Sequence, residues 1–172
     1  MKGDKIIQLF FYQPMTKFGV RELSRLTFLD TKTIMKYLHI LVAKKIILRN
    51  EQKRHFTTYE ANRLSPLYKF EKSHALVRKI YESGLLEYLQ QKIKPKNITL
   101  FGSVAKGTYH EKSDIDIFIQ SSYQRVNVSR YEQKLGHKVS LFFEENLDEL
   151  SKALKENIFN GDILAGKLEV PT

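Results

Sequence analysis

The chain has 172 residues, 42% of them hydrophobic, with no cysteine and a formal net charge of +10. That length allows one medium domain or two small ones with packed cores, and the lack of cysteine excludes disulfides and thiolate metal sites. No apolar run approaches the roughly 18 residues of a membrane span and the N-terminus has no signal-peptide pattern, so a cytoplasmic location is expected. The charge is uneven. Residues 1–65 carry +8, residues 66–95 carry +3 and residues 96–172 carry −1, which predicts a cationic half and a near-neutral half with separate tasks.

Asp4 is placed to cap a helix through about Tyr12, with Ile6, Ile7, Leu9, Phe10 and Phe11 on a mostly buried face. Pro14 and Gly19 punctuate the connection to a short helix over Val20–Leu26. Asp30 or Thr31 then caps a third helix to about Ala43, with the apolar stripe Ile34, Leu38, Leu41 and Val42 and an opposite face of Lys32, Thr33, Lys36 and His39. Ile46–Leu48 and Phe56–Tyr59 read as two strands joined by the charged tip Glu51-Gln52-Lys53-Arg54. Three helices followed by a hairpin predict an α+β winged helix-turn-helix over residues 1–65. In such a fold the third helix enters the major groove of double-stranded DNA and the wing grips the backbone. Lys32, Lys36, Arg49, Lys53 and Arg54 would then meet mostly phosphates, with Thr33 and His39 beside them. Winged helices also serve as protein-interaction modules, and a basic surface of this kind also suits RNA.

Pro66 opens a linking helix, expected to run to about Gln91 before Lys94-Pro95-Lys96 ends it. Gly84 marks a bend. Leu67, Phe70, His74, Val77, Tyr81, Leu85 and Tyr88 form a one-sided stripe that either packs within the chain or joins two copies as a homodimer.

Residues 100–118 carry the densest information. Leu100-Phe101-Gly102-Ser103 reads as a strand entering a Gly-Ser turn and a short helix, and Asp114-Ile115-Asp116-Ile117-Phe118 as a second strand. Alternate strand residues point the same way, so Asp114 and Asp116 project together, about 6.6 Å apart along the strand. Paired hard oxygen ligands near a phosphate-binding turn are what a magnesium-nucleotide site needs. Gly102 lets backbone approach phosphate oxygens, and the N–H groups of the helix start favour anions. Lys106 and Lys112 flank the turn. Ser113 stands next to Asp114, positioned to bond it or to orient a metal-bound water. Tyr109 and His110 lie in the loop above, where Tyr109 is either a stacking surface for a nucleobase or a plain loop aromatic.

The segment resembles the signature of the minimal nucleotidyltransferases of the DNA polymerase β superfamily, over roughly Lys96–Val170. The resemblance implies a small α/β domain with a mixed sheet at residues 96–172. It also implies a bound Mg²⁺ with ATP or another nucleoside triphosphate, and transfer of a nucleotidyl group to a hydroxyl acceptor. Gly102 and Ser103, with Lys106 and Ser113, would hold the nucleotide, and Asp114 and Asp116 the metal. The acceptor it suggests is a tyrosine or serine of a partner protein, as in antitoxin-like members. Asn157-Ile158-Phe159-Asn160-Gly161 is similar to the family's last turn. Tyr59–Tyr68 resembles the junction of prokaryotic proteins that fuse a winged helix to such a domain, with Asn62 and Arg63 in structural roles.

One position departs from the pattern. The family's third carboxylate lies on a later strand, and there His137-Lys138-Val139-Ser140-Leu141-Phe142-Phe143 presents Ser140. Glu144 shares its parity but lies roughly 13 Å further along, too far to share a metal with bonds of about 2.1 Å. Loss of a general base costs about 10²–10⁴-fold in rate, whereas two carboxylates plus phosphates still hold one Mg²⁺. The alternative expectation is therefore a transcriptional regulator whose nucleotidyltransferase-like domain is inactive and serves as a ligand sensor or assembly module.

Overall fold

The computed structural model describes residues 2–51 and 57–168. The chain divides into two units, residues 1–72 and 73–172.

In the first unit, α1 (Lys2–Tyr12) starts ahead of Asp4, which lies in its first turn instead of capping it. A two-residue strand, β1 (Phe18–Gly19), leads into α2 (Val20–Thr27), whose first turn is closed by Gly19 N–H donating to Glu22 Oε2. α3 (Thr31–Ala43) is capped by Asp30, which accepts the Thr33 N–H at 2.8 Å and the Thr33 hydroxyl at 2.7 Å. This satisfies one of the four N–H groups that a helix start leaves without a partner in the helix. β2 (Ile47–Glu51) and β3 (Thr57–Ala61) pair antiparallel, and β1 adds to the far side of β3, giving the order β1-β3-β2. β1 is too short to show a period in sequence. Both hairpin strands run further than expected, to Glu51 and Ala61. Ile6, Phe10, Phe18, Leu23, Ile34, Leu38 and Tyr59 fill the core of this unit.

The stretch after β3 is a chain of local ties. The Asn62 side-chain amide donates to the Lys45 carbonyl at 2.9 Å, beside a residue held in the left-handed region. Ser65 Oγ accepts the Tyr68 N–H, and the Tyr68 hydroxyl donates to the Phe10 carbonyl at 2.9 Å.

The single linking helix is in fact two: α4 (Pro66–Ser83) and α5 (Leu85–Ile93), separated by Gly84 at φ +81. The buried face of α4 is also not the expected stripe. Tyr68, Lys72, Leu76 and Ile80 are buried, at a strict four-residue spacing, while Leu67, Phe70, His74 and Tyr81 are exposed. α4 carries apolar side chains on more than one face, so periodicity alone does not select the one that packs.

The second unit is built on a mixed four-stranded sheet: β4 (Asn97–Phe101), β5 (Ile115–Gln120), β6 (Val139–Phe143) and β7 (Asp162–Gly166), in the order β6-β5-β4-β7. β4 runs antiparallel to both β5 and β7, and β5 and β6 are parallel. Between them lie α6 (Gly102–Ala105), α7 (Ser129–Leu135) and α8 (Lys152–Phe159). Ile98, Leu100, Ile115, Ile117 and Ile119 pack one sheet face against Leu76, Ile80, Leu86, Leu89 and Tyr131. On the other face Phe101 and Phe118 pack with Leu147 and Ile158. The sheet is thus covered on both sides, and strand parity sends the Asp116 side chain to the Phe118 face.

Gly161 joins α8 to β7. A Cβ there would lie 2.4 Å from the Leu100 carbonyl oxygen and 2.9 Å from a Thr99 methyl. Backbone cannot yield as a side-chain tip can, so Gly161→Ala is expected to destabilise the fold by about 1–3 kcal/mol. A lowered urea midpoint followed by circular dichroism would show it.

Candidate functional site

The site begins where β4 ends. Phe101 is extended, and Gly102 turns the chain at φ +73 into the single turn of α6. Phe101 pairs with Asp116 across the antiparallel ladder. The close approach follows from that register: a Cβ on Gly102 would sit 2.4 Å from Asp116 Oδ2. Only glycine both accepts the left-handed conformation and leaves room for the carboxylate. α6 spans only Gly102–Ala105, so its dipole adds little of what the sequence suggested. What remains is half-buried backbone at Gly102, brought close beside the Asp116 carboxylate.

The loop from α6 to β5 is tied from several sides. The Ser103 carbonyl accepts the N–H groups of Thr108 and Tyr109. The Tyr109 ring is buried in the core and stands edge-on to His137, so it offers no stacking face to a nucleobase. Ser113 Oγ accepts the His110 N–H at 2.9 Å, and the Ser113 carbonyl is 2.8 Å from His137 Nδ1. His137 therefore anchors the residue immediately before Asp114. Sequence reasoning gave this histidine no role, because its contact joins the turn after α7 to a loop some 24 residues earlier.

Asp114 is exposed and Asp116 half-buried. Burial, and then the negative charge of Asp114, push the Asp116 carboxyl above the usual carboxylate range. Ser140 lies opposite Asp116 in the parallel ladder, and its hydroxyl donates to Asp114 Oδ2 at 3.2 Å. The structure thus brings Gly102, Asp114, Asp116 and Ser140 together, with Ser103 following directly on Gly102. Glu144 and Glu145 do not join them. Glu144 accepts the N–H groups of Glu145 and Asn146, and Glu145 accepts that of Ser122. Lys106 is exposed, its ammonium donating to Asn157 Oδ1 at 2.8 Å.

Among the described residues no group of three or more His, Cys, Asp or Glu is arranged to hold a metal. The donor set is two carboxylates. Two carboxylates could hold one divalent cation with phosphate or water oxygens completing its shell, and a shared cation would offset the Asp114 charge that, after burial, raises the Asp116 carboxyl.

Residues 82–161 match the family model of the nucleotidyltransferase domain. The matched span opens near the end of α4, takes in α5 and closes on Gly161, so it contains every residue of the site just described. No curated protein matches the chain. A nucleotidyltransferase domain implies a nucleoside triphosphate substrate and Mg²⁺, which agrees with a carboxylate pair set against a glycine turn.

In the first unit, Lys32, Lys36 and His39 are exposed on α3, and Thr33 is engaged in the Asp30 cap. Arg49 pairs with Glu51 at 2.9 Å. Lys53 and Arg54 lie outside the described residues.

A folded carboxyl raised above its ordinary 3.8 binds its proton more tightly than the unfolded chain does. Its stabilising effect is present below that value and is lost as pH rises through the shifted one. Asp116→Asn is therefore expected to melt at or above the native temperature at pH 7, with the difference vanishing below pH 3.8. Thermal scans at both pH values check this, and a less stable variant at pH 7 would contradict it.

Proposed function

We propose that the second unit binds a magnesium-bound nucleoside triphosphate, ATP or another, and transfers its nucleotidyl group to a hydroxyl acceptor. The observation that supports this most directly is the contact geometry of Gly102 with Asp116, inside the span that matches the nucleotidyltransferase domain. Asp114 and Asp116 would hold the metal, which when bound supplies positive charge to the transferred phosphoryl group and the departing pyrophosphate. The backbone at Gly102 and Ser103 receives the triphosphate tail at short range. His137, through the Ser113 carbonyl, keeps Asp114 at the end of β5. The acceptor in this reading is a tyrosine or serine of a partner protein, on the antitoxin-like pattern.

The first unit carries the second half of the proposal, duplex DNA binding by a winged helix at residues 1–65. In support, the helix order and the antiparallel hairpin have the required topology, and α3 exposes Lys32, Lys36 and His39 on the side away from Ile34 and Leu38. Arg49 on β2 would reach the DNA backbone, and Lys53 and Arg54, between β2 and β3 in the sequence, would add to it.

Ser140 favours a second reading. Without a third carboxylate the domain would bind nucleotide without modifying a partner, and would serve a transcriptional regulator as sensor or assembly module. Labelled ATP offered with candidate acceptors separates the two readings: label on a macromolecule marks transfer, and a transfer activity that arises only in Ser140→Asp marks the sensor.

Calorimetric titration with Mg²⁺-ATP is expected to give saturable heat with the native chain and none with the Asp114→Ala/Asp116→Ala double variant. Equal heats would remove these carboxylates from the site. For the first unit, five phosphate contacts predict that log affinity for duplex DNA falls against log salt with a slope of about −4.5. A flat salt dependence, or equal preference for RNA, would overturn the DNA assignment.

A further inference from the structure

Ser140 takes the place of the third acid, and its surroundings are those of a nucleophile. Its hydroxyl donates to a carboxylate oxygen of Asp114 at 3.2 Å, which orients Oγ beside the carboxylate pair. It is half-buried, opposite Asp116 in the β5–β6 ladder.

Sheet order adds an independent observation. Gly102 follows β4, Asp114 immediately precedes β5, Asp116 lies within it and Ser140 stands on β6, which is the next strand outward. The carboxylate pair therefore lies between the glycine turn and the serine. Phosphoryl transfer requires the attacking oxygen and the leaving oxygen roughly in line. Were a triphosphate to lie with its tail at Gly102–Ser103 and its α-phosphorus by the carboxylates, the strand on the side away from the tail would be β6. On that strand the hydroxyl at hand is the protein's own.

We propose that Ser140 is itself the nucleotidyl acceptor, so that the domain modifies its own β6 strand. This rests on the nucleotide-binding reading above. In the step, Ser140 Oγ forms a bond to the α-phosphorus of the nucleoside triphosphate. The bond from that phosphorus to the bridging oxygen of the β-phosphate breaks, and pyrophosphate leaves with the electron pair. The hydroxyl proton leaves to water. The product is a phosphodiester joining a nucleoside to Ser140. It forms once per chain, because the tethered nucleotide then occupies the carboxylate face.

The test uses the full chain with Mg²⁺ and each of the four nucleoside triphosphates labelled at the α-phosphate. Calorimetry with the same nucleotides runs in parallel on native protein and on Ser140→Ala. The expected result is label on the native chain and an intact-mass gain of one nucleoside monophosphate, mapped by peptide sequencing to Ser140. The label should resist hydroxylamine, which cleaves acyl phosphates on aspartate. It should be lost in Ser140→Ala and be retained in part by Ser140→Thr, which keeps a hydroxyl at this position. Binding without label, label that persists in Ser140→Ala, or label mapped elsewhere would overturn the proposal and leave nucleotide binding standing. Absence of binding by both proteins would overturn the nucleotide-binding reading itself, and this inference with it.

Discussion

Two like charges held side by side on one strand are the constraint from which the rest of the second unit follows. Asp114 and Asp116 repel each other, and burial raises the cost for Asp116. Such a pair persists only where the surrounding fold over-determines it. Here the determination is plain. Asp116 is fixed by pairing with Phe101 on one side and Ser140 on the other, and its carboxylate lies against the bare backbone of Gly102. Asp114, more exposed, is held from outside the strand by the Ser140 hydroxyl and by the His137 tie to Ser113. The result is negative charge at the start of an interior strand, beside the turn that follows β4.

The sheet supplies more than a platform. Its order separates a glycine turn on one strand from a hydroxyl on another, with the carboxylates between. In the proposed reading, that order gives the site a donor side at Gly102 and an acceptor side at Ser140. The serine at the third position then has two readings, an inactive binding site and a self-modifying one, which differ in a covalent product. Both follow from the same hydrogen bond, and both leave the two-carboxylate donor set intact.

The two units solve different problems with different means. The first is basic and rests on an aromatic core, with Phe10 edge-on to Phe18 and the Tyr68 hydroxyl closing on the Phe10 carbonyl. Its cations stand on exposed helix and hairpin positions, where each makes a weak, screened contribution. The second is near neutral, with two carboxylates brought together beside the Gly102 turn.

Much of this was legible locally. The Asp30 cap, the Gly102 turn, the shared face of Asp114 and Asp116 and the missing third acid all depend on neighbours within a few residues, where spacing and side-chain chemistry dictate the outcome. The features that sequence reading missed or misplaced depend on distant partners. α4 has apolar side chains on more than one face, and packing chose Tyr68, Lys72, Leu76 and Ile80 over the stripe through Leu67, Phe70 and Tyr81. The strand β1 exists because β3 is there to pair with it. Tyr109 was drawn into the core by its neighbours, and Lys106 was taken up by Asn157, far along the chain. The amino-acid sequence by itself determined which chemical groups are available and which share a strand face, since period and turn geometry are short-range. Only the tertiary structure decided that Ser140 touches Asp114 and that His137 holds Ser113, because those contacts come from a parallel register between strands that are not consecutive in hydrogen-bonded hairpins.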